Sequence, residues 1–143
     1  MSRSTNIPPP PVTRRVAGLD LGKVVDHTAL CVLDWTWPRP PRPAPPARGQ
    51  PLAVRPEYNV TALKRWPLGT SYVDITQWMV RLFQGPALRP EAGPPPVLVV
   101  DETGVGQPVV EMLRLEMSRG RVEGHLVSVT ITAGGGVSLA EGR

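Results

Sequence analysis

The feature that most constrains the fold is an apolar run that ends on an acid, Val97-Leu98-Val99-Val100-Asp101-Glu102-Thr103-Gly104-Val105-Gly106. A continuous apolar run between prolines and glycines is typical of a central strand that is buried on both faces. Active sites of open α/β sheets lie beyond the carboxyl ends of the strands, so Asp101 is a candidate site residue. Taken alone, a turn or capping role for this aspartate is the simpler interpretation.

A second strand of the same kind, Arg15-Val16-Ala17-Gly18-Leu19-Asp20-Leu21-Gly22, also ends on an acid beside glycine. Parallel neighbouring strands lie about 5 Å apart, which would bring Asp20 and Asp101 side by side. Two carboxylates at that separation repel each other unless a cation lies between them. Oxygen ligands favour Mg²⁺ or Mn²⁺ over Zn²⁺. The sequence therefore predicts a divalent metal site at Asp20 and Asp101.

Stretches rich in proline and glycine separate the segments that can fold into a hydrophobic core from those that cannot. The 143 residues allow one domain, but they include 19 prolines and 14 glycines, concentrated in a few stretches. We predict a disordered Pro-rich lead-in over residues 1–13, an extended Pro/Arg-rich insertion over 36–57, and a flexible Gly-rich tail over 133–143. The insertion is interpreted as solvated; contact with a phosphate backbone and a role as a Pro-rich peptide ligand stay open.

Charge and cysteine content indicate which partners and which cellular compartment fit the chain. The net charge of +4 is compatible with a polyanionic partner, although basic charge also serves solubility. The one cysteine, Cys31, is predicted to be a buried packing residue, so a reducing cytoplasmic setting fits. No apolar run approaches the roughly 20 residues that span a bilayer, so we expect a soluble protein without a membrane partner.

The first three predicted strands form an antiparallel unit. Strand 15–22 and strand 28–35 form a hairpin with Asp26 and His27 at its turn. Asp26 could help to hold metal, but a turn residue is the better interpretation, and His27 lacks a second ligand at metal spacing. Residues 58–66 are predicted as an edge strand with one common face, made of Tyr58, Val60, Ala62 and Trp66.

The second half is predicted to alternate helices and strands. Ser71 and Asp74 resemble a capping box at the start of a helix that ends near Gly85. The central strand at residue 97 follows, then a helix from residue 107 to Gly120 and a fifth strand over 125–132. The predicted order is β-β-β-α-β-α-β, which is that of the ribonuclease H-like α/β fold.

Four motifs in this order resemble the nuclease domain of phage large terminase subunits. They are Gly18-Leu19-Asp20-Leu21-Gly22, Asp26-His27-Thr28-Ala29-Leu30, Trp66-Pro67-Leu68-Gly69-Thr70 and Val100-Asp101-Glu102-Thr103-Gly104-Val105-Gly106. The resemblance runs from about residue 15 to about residue 132. It implies a domain over residues 14–132 whose mixed sheet sets strand one beside strand four.

The resemblance implies a Mg²⁺- or Mn²⁺-dependent endonuclease that acts on double-stranded DNA during phage DNA packaging, in the cytoplasm of a bacterial host. In two-metal catalysis one ion activates water and the other stabilises the leaving oxygen. By position, Asp20 matches the first-strand acid and Asp101 the fourth-strand acid. Glu102 is left out because it would point to the opposite face if the strand continued.

Two parts of the family pattern are missing from this sequence. Terminase nucleases carry further acid on a helix after the fifth strand, whereas Glu141 is the one acid after Glu123 here. No Gly-x-x-x-x-Gly-Lys-Ser/Thr loop of an ATPase motor occurs. We expect weak metal binding and little or no cleavage unless a partner chain supplies the motor and the remaining acid. A sheet without that last helix would be partly uncovered, so we also expect marginal stability or self-association.

Two other classes stay open at this point. In an actin-like or sugar-kinase-like ATPase, Asp20 and its neighbouring glycines would hold phosphate and Mg²⁺, but such folds duplicate this domain and the chain is too short for two copies. In a non-catalytic binding module, the Pro/Arg-rich insertion would dock protein or DNA and the acids would be structural.

Overall fold

The computed structural model describes residues 11–22, 24–37, 55–89, 93–131 and 137–141, the last range as backbone only. Of the predicted disordered lead-in (1–13) and extended insertion (36–57), residues 1–10 and 38–54 lie outside the described residues. The prediction is wrong for residues 12–13 and 36–37, which pair with each other as strand. The described chain forms one mixed α/β sheet with two helices.

Three antiparallel strands open the chain, as predicted. They are β1 (Val12–Asp20), β2 (Ala29–Trp37) and β3 (Glu57–Arg65). The first two form a hairpin in which Val12 pairs with Trp37 and Asp20 with Ala29. Strand β1 begins three residues before the predicted start, since Val12 to Arg14 still find partners on β2.

The remaining elements complete a sheet of order β3-β2-β1-β4-β5-β6. They are α1 (Tyr72–Gln84), β4 (Val97–Asp101), α2 (Gly106–Ser118), β5 (His125–Ile131) and β6 (Val137–Glu141). Strand β4 runs parallel to both β1 and β5, so it is the central strand that its unbroken apolar run predicted.

Local sequence determines where α1 begins. The Ser71 hydroxyl accepts a hydrogen bond from the Asp74 backbone N–H at 3.1 Å and donates one to the Asp74 carboxylate at 2.7 Å. This satisfies one of the donors that every helix start leaves free. Helix α2 has no side-chain cap; it begins directly after the turn that follows Asp101.

The prediction of a single common face for β3 is wrong. Val32 pairs with Ala62 but Leu33 pairs with Val60, so Thr61 is an extra residue, and its hydroxyl donates to the Val32 carbonyl at 3.2 Å. A bulge of this kind reverses the side-chain alternation beyond it. Tyr58 and Val60 therefore lie on the sheet face opposite to Ala62.

The tail contains an element that the sequence analysis did not predict. Residues 137–141 form β6, which pairs antiparallel with β5 through Ile131 and Val137 at one end and Val127 and Glu141 at the other. The prediction of a structureless tail is therefore wrong for these five residues. The rest of the tail, 132–136 and 142–143, lies outside the described residues.

The core lies between the sheet and the two helices. On β1, β2, β4 and β5 alternate side chains point to the helices, and those in the middle of the sheet are buried, as are the inner faces of both helices. The fully enclosed residues include Ala17, Leu98, Val100, Ile75, Met79, Phe83, Val109, Val110 and Leu113. Both described helices have 13 residues, too short to cross a membrane. Among the described elements, none covers the other face of the sheet.

Candidate metal centre

Asp20 and Asp101 end two neighbouring parallel strands. The register pairs Leu19 of β1 with Val100 of β4, so the two aspartates occupy the next position on each strand. Adjacent strands lie about 4.8 Å apart in this direction. By the alternation of side chains, both carboxylates lie on the face that the described helices do not cover.

The carboxylate of Asp101 has a structural partner. Its Oδ1 accepts a hydrogen bond from the Thr103 backbone N–H at 2.9 Å. This is the aspartate turn that was the simpler interpretation of Asp101. One oxygen is engaged in the turn, and the described contacts leave the other oxygen for a ligand.

The turn after Asp101 is tightly packed. A Cβ atom on Gly106 would come within 2.4 Å of the Asp101 carbonyl oxygen, a distance that real Cβ atoms do not reach. Glycine is therefore required for the first turn of α2 to approach the end of β4. The helix start is thereby held against the strand that carries the acid.

Glu102 lies away from the two aspartates. Its backbone N–H donates to the Val129 carbonyl at 2.9 Å, and its carboxylate accepts a hydrogen bond from the Thr130 hydroxyl at 3.0 Å. Thr130 is on the helix side of β5, as its position two residues from buried Ser128 indicates. Glu102 is thus a nearby acid that lies on the other side of the sheet from Asp20 and Asp101, and it can serve as a control for them.

The segment after Asp20 is held by hydrogen bonds. The Gly22 N–H donates to the Thr28 hydroxyl at 3.1 Å, and the Gly22 carbonyl accepts from the Tyr72 hydroxyl at 3.1 Å. A Cβ on Gly22 would come within 2.0 Å of the Asp26 carbonyl oxygen. The close approach of the Asp26 backbone therefore explains why a glycine stands at position 22, two residues after Asp20.

The two turn residues on which the sequence left alternatives open are both exposed. Asp26 lies in the bend over residues 24–26. The Nδ1–H of His27 donates to the Trp66 carbonyl at 2.8 Å, which ties the hairpin turn to the end of β3. These contacts give His27 a structural role.

The charges around the acid pair set what it can bind. Neither Asp20 nor Asp101 forms an ion pair with a described basic side chain. On the same face, Arg65 lies two strands from Asp20, because Arg65 pairs with Ala29 and Ala29 with Asp20. Among the described residues the pair is therefore a local concentration of negative charge, and the backbone of Arg65 lies about 10 Å from that of Asp20.

The donor set fits one hard cation. Mg²⁺ is commonly held by one or two carboxylates and completes its shell with water, and two adjacent aspartates supply that set. The described residues contain no cluster of three or more histidine, cysteine, aspartate or glutamate side chains around one point.

Sequence reasoning predicted that Asp20 and Asp101 lie on neighbouring parallel strands, as the register shows, but it missed the contacts that hold the Asp101 turn. Thr103 links the turn to β5, since its hydroxyl accepts a hydrogen bond from the Ile131 N–H at 2.9 Å. The spacing of Asp101 and Thr103 is a recognisable turn signal, but the pairing with β5 depends on strand register. Cys31 was predicted to be buried and is instead partly exposed, on the same uncovered face.

Comparison with known proteins does not place the chain in a family. A scan against protein-family models finds no match, and a search of curated proteins finds none either.

Proposed function

We propose that this chain is a metal-dependent endonuclease domain of the ribonuclease H-like class that acts on double-stranded DNA. The observation that carries the proposal is the arrangement of Asp20 and Asp101 at the ends of adjacent parallel strands, on one face. The motif resemblance adds the more specific proposal of a relationship to the nuclease domain of phage large terminase subunits, which act in DNA packaging.

The topology supports the class. The order β3-β2-β1-β4-β5, with the first three strands antiparallel and β4 parallel to β1, is compatible with a ribonuclease H-like sheet. The two helices on one face leave the acids accessible at the other. Asp20 itself is exposed.

In this proposal each residue has a separate role in metal binding or DNA binding. Asp20 and the Asp101 oxygen outside the turn would hold Mg²⁺ or Mn²⁺, which supplies Lewis-acid activation of water and phosphate when bound. Arg65, exposed on the same face, would contact a neighbouring phosphate of the DNA backbone. A partner chain would supply the ATPase motor and the further acid that the two-ion reaction needs.

Plasmid nicking tests the proposal. With Mn²⁺ and excess chain over DNA, we expect trace nicking that Asp20→Asn and Asp101→Asn each reduce at least about tenfold, the equivalent of 1.4 kcal/mol in the barrier. Glu102→Gln is the matched control, because its carboxylate bonds to Thr130. Equal nicking by all four proteins would contradict the proposal. Robust nicking that Asp20→Ala abolishes would instead contradict the need for a further acid.

One observation favours a second candidate, a non-catalytic binding module. The Asp101 carboxylate already caps its own turn through the Thr103 N–H, which is a sufficient structural role. In that case Asp101→Asn would lower stability without changing metal binding, and DNA or protein binding would persist after loss of both acids.

A further inference from the structure

The sheet face that no described element covers is apolar in its middle. Alternation from the strand registers places Val16, Leu33, Val60, Leu63, Val97 and Val99 there. Toward one end lie Arg14 and the aromatic side chains Trp35, Trp37 and Tyr58, and toward the other lie Asp20, Asp101 and Arg65. Leu63 is 76% exposed and Tyr58 65% exposed. A shallow groove of about 590 Å³ crosses this face between Arg14 and His125.

The size of this face is of the order of a stable protein interface. Six strands at about 4.8 Å spacing are about 24 Å wide, and five to nine residues at about 3.3 Å are about 16 to 30 Å long, so the face projects roughly 400 to 700 Å². The accessible area of an uneven surface is larger than its projection. A standard interface buries about 800 Å² per partner.

On its two antiparallel strands β1 and β2 the face pairs large side chains with small ones under a two-fold operation. Trp35 and Ala29 lie three residues to either side of Val32 on β2, and Val16 and Gly18 lie one residue to either side of Ala17 on β1. If a second copy lies over the first with its strands antiparallel, Trp35 meets Ala29 and Val16 meets Gly18 of the other copy. On β3, Val60 meets Leu63, which is an apolar contact.

Strand β1 is complementary to itself in charge. Arg14 and Asp20 lie three residues to either side of Ala17 on β1, one of the two innermost strands. Antiparallel superposition about the level of Ala17 brings Arg14 of each copy over Asp20 of the other. On β3 the same operation brings Tyr58 over Arg65, a favourable cation–π arrangement.

We propose that two copies of this chain pack face to face through the uncovered sheet. The two-fold axis lies between the sheets, perpendicular to the strands, at the level of Ala17, Val32 and Leu98, which are paired in the register. Sheets packed in this way stand about 10 Å apart and within about 30° of alignment. A symmetric interface of this kind pairs residue i with j and j with i, as Arg14 and Asp20 do.

Sedimentation velocity with charge-reversed variants tests the dimer. The wild-type chain at about 100 µM, well above a micromolar Kd, is expected to sediment at twice its 15.5 kDa mass. Arg14→Asp sets two aspartates against each other and Asp20→Arg sets two arginines, so each variant alone is expected to shift to monomer. An equimolar mixture of the two is expected to recover the dimer, because every facing pair is then opposite in sign.

Arg114→Asp is the matched control, because Arg114 is exposed on α2, away from this face. The Arg114→Asp variant is expected to dimerise like the wild type. Both test positions are at least partly exposed, so the reversals leave the core intact. A monomeric wild-type chain at this concentration would overturn the proposal and leave the face to another occupant. So would single variants that stay dimeric, or a mixture that stays monomeric.

Discussion

At the scale of single residues, Arg15 connects three parts of the fold through one guanidinium group. It lies 3.3 Å from the Asp34 carboxylate on β2, and it donates to the carbonyls of Pro86 and Ala87 in the segment after α1. Both members of the ion pair are partly buried, with side chains 29% and 24% exposed. Removing one partner of such a pair leaves a charge without compensation.

We therefore expect Arg15→Ala to lower the free energy of unfolding by about 2 kcal/mol, because a partly buried charge and two carbonyls lose their donor. Urea denaturation measures this. Arg89→Ala is the comparison, since Arg89 and Glu123 are mostly exposed and such pairs contribute about 0–1 kcal/mol. Equal effects of the two substitutions would contradict the structural role of Arg15.

A second prediction concerns the close contact at the end of β4. Gly106→Ala is expected to lower stability by about 1–3 kcal/mol, because its Cβ would overlap the Asp101 carbonyl. Gln107→Ala is the control, since Gln107 is the next residue of the same helix turn and its side chain is exposed. Thermal unfolding at one protein concentration compares them; equal melting temperatures would contradict the packing argument.

The sequence predicts residue types at the site better than it predicts their partners. Asp20 and Asp101 are recognisable because each ends an apolar run with a glycine two or three residues further on. The bonds of Glu102 to Thr130 and of Thr103 to Ile131 join residues 28 positions apart, so they depend on the pairing of β4 with β5. No local pattern in the sequence contains that register.

At the scale of elements, the strongly patterned segments were predictable. Helix α1 has both a capping signal and helical spacing of Ile75, Met79 and Phe83, which the structure buries. The bulge at Thr61 was not predictable, because it depends on how β2 and β3 align. Strand β6 was missed because a glycine-rich stretch has weak local preference and pairing with β5 decides its structure.

The cap of α1 gives an element-scale prediction. Ser71→Ala removes the acceptor for the Asp74 N–H and is expected to lower the free energy of unfolding by about 1 kcal/mol. Ser118→Ala, at the exposed end of α2, is expected to change it by less than about 0.5 kcal/mol. Denaturant titration that ranks the two substitutions in the opposite order would contradict the capping role.

At the scale of the whole molecule, the metal site and the proposed dimer use the same carboxylate. Arg14 of a second copy and a bound cation would compete for Asp20, so each should weaken the binding of the other. We expect saturating Mn²⁺ to lower the dimer fraction in sedimentation, and Glu102→Gln to leave this effect unchanged. A dimer fraction that stays constant while Mn²⁺ binds would contradict the competition.

The central claim is that Asp20 and Asp101 together form a divalent cation site. Calorimetric titration of Mn²⁺ into the wild-type chain and into Asp20→Asn, Asp101→Asn and Glu102→Gln variants tests it most directly. The account predicts saturable binding that each aspartate variant weakens at least about tenfold, or 1.4 kcal/mol, while Glu102→Gln binds like the wild type. Identical isotherms for all four proteins would contradict it and make the two aspartates structural.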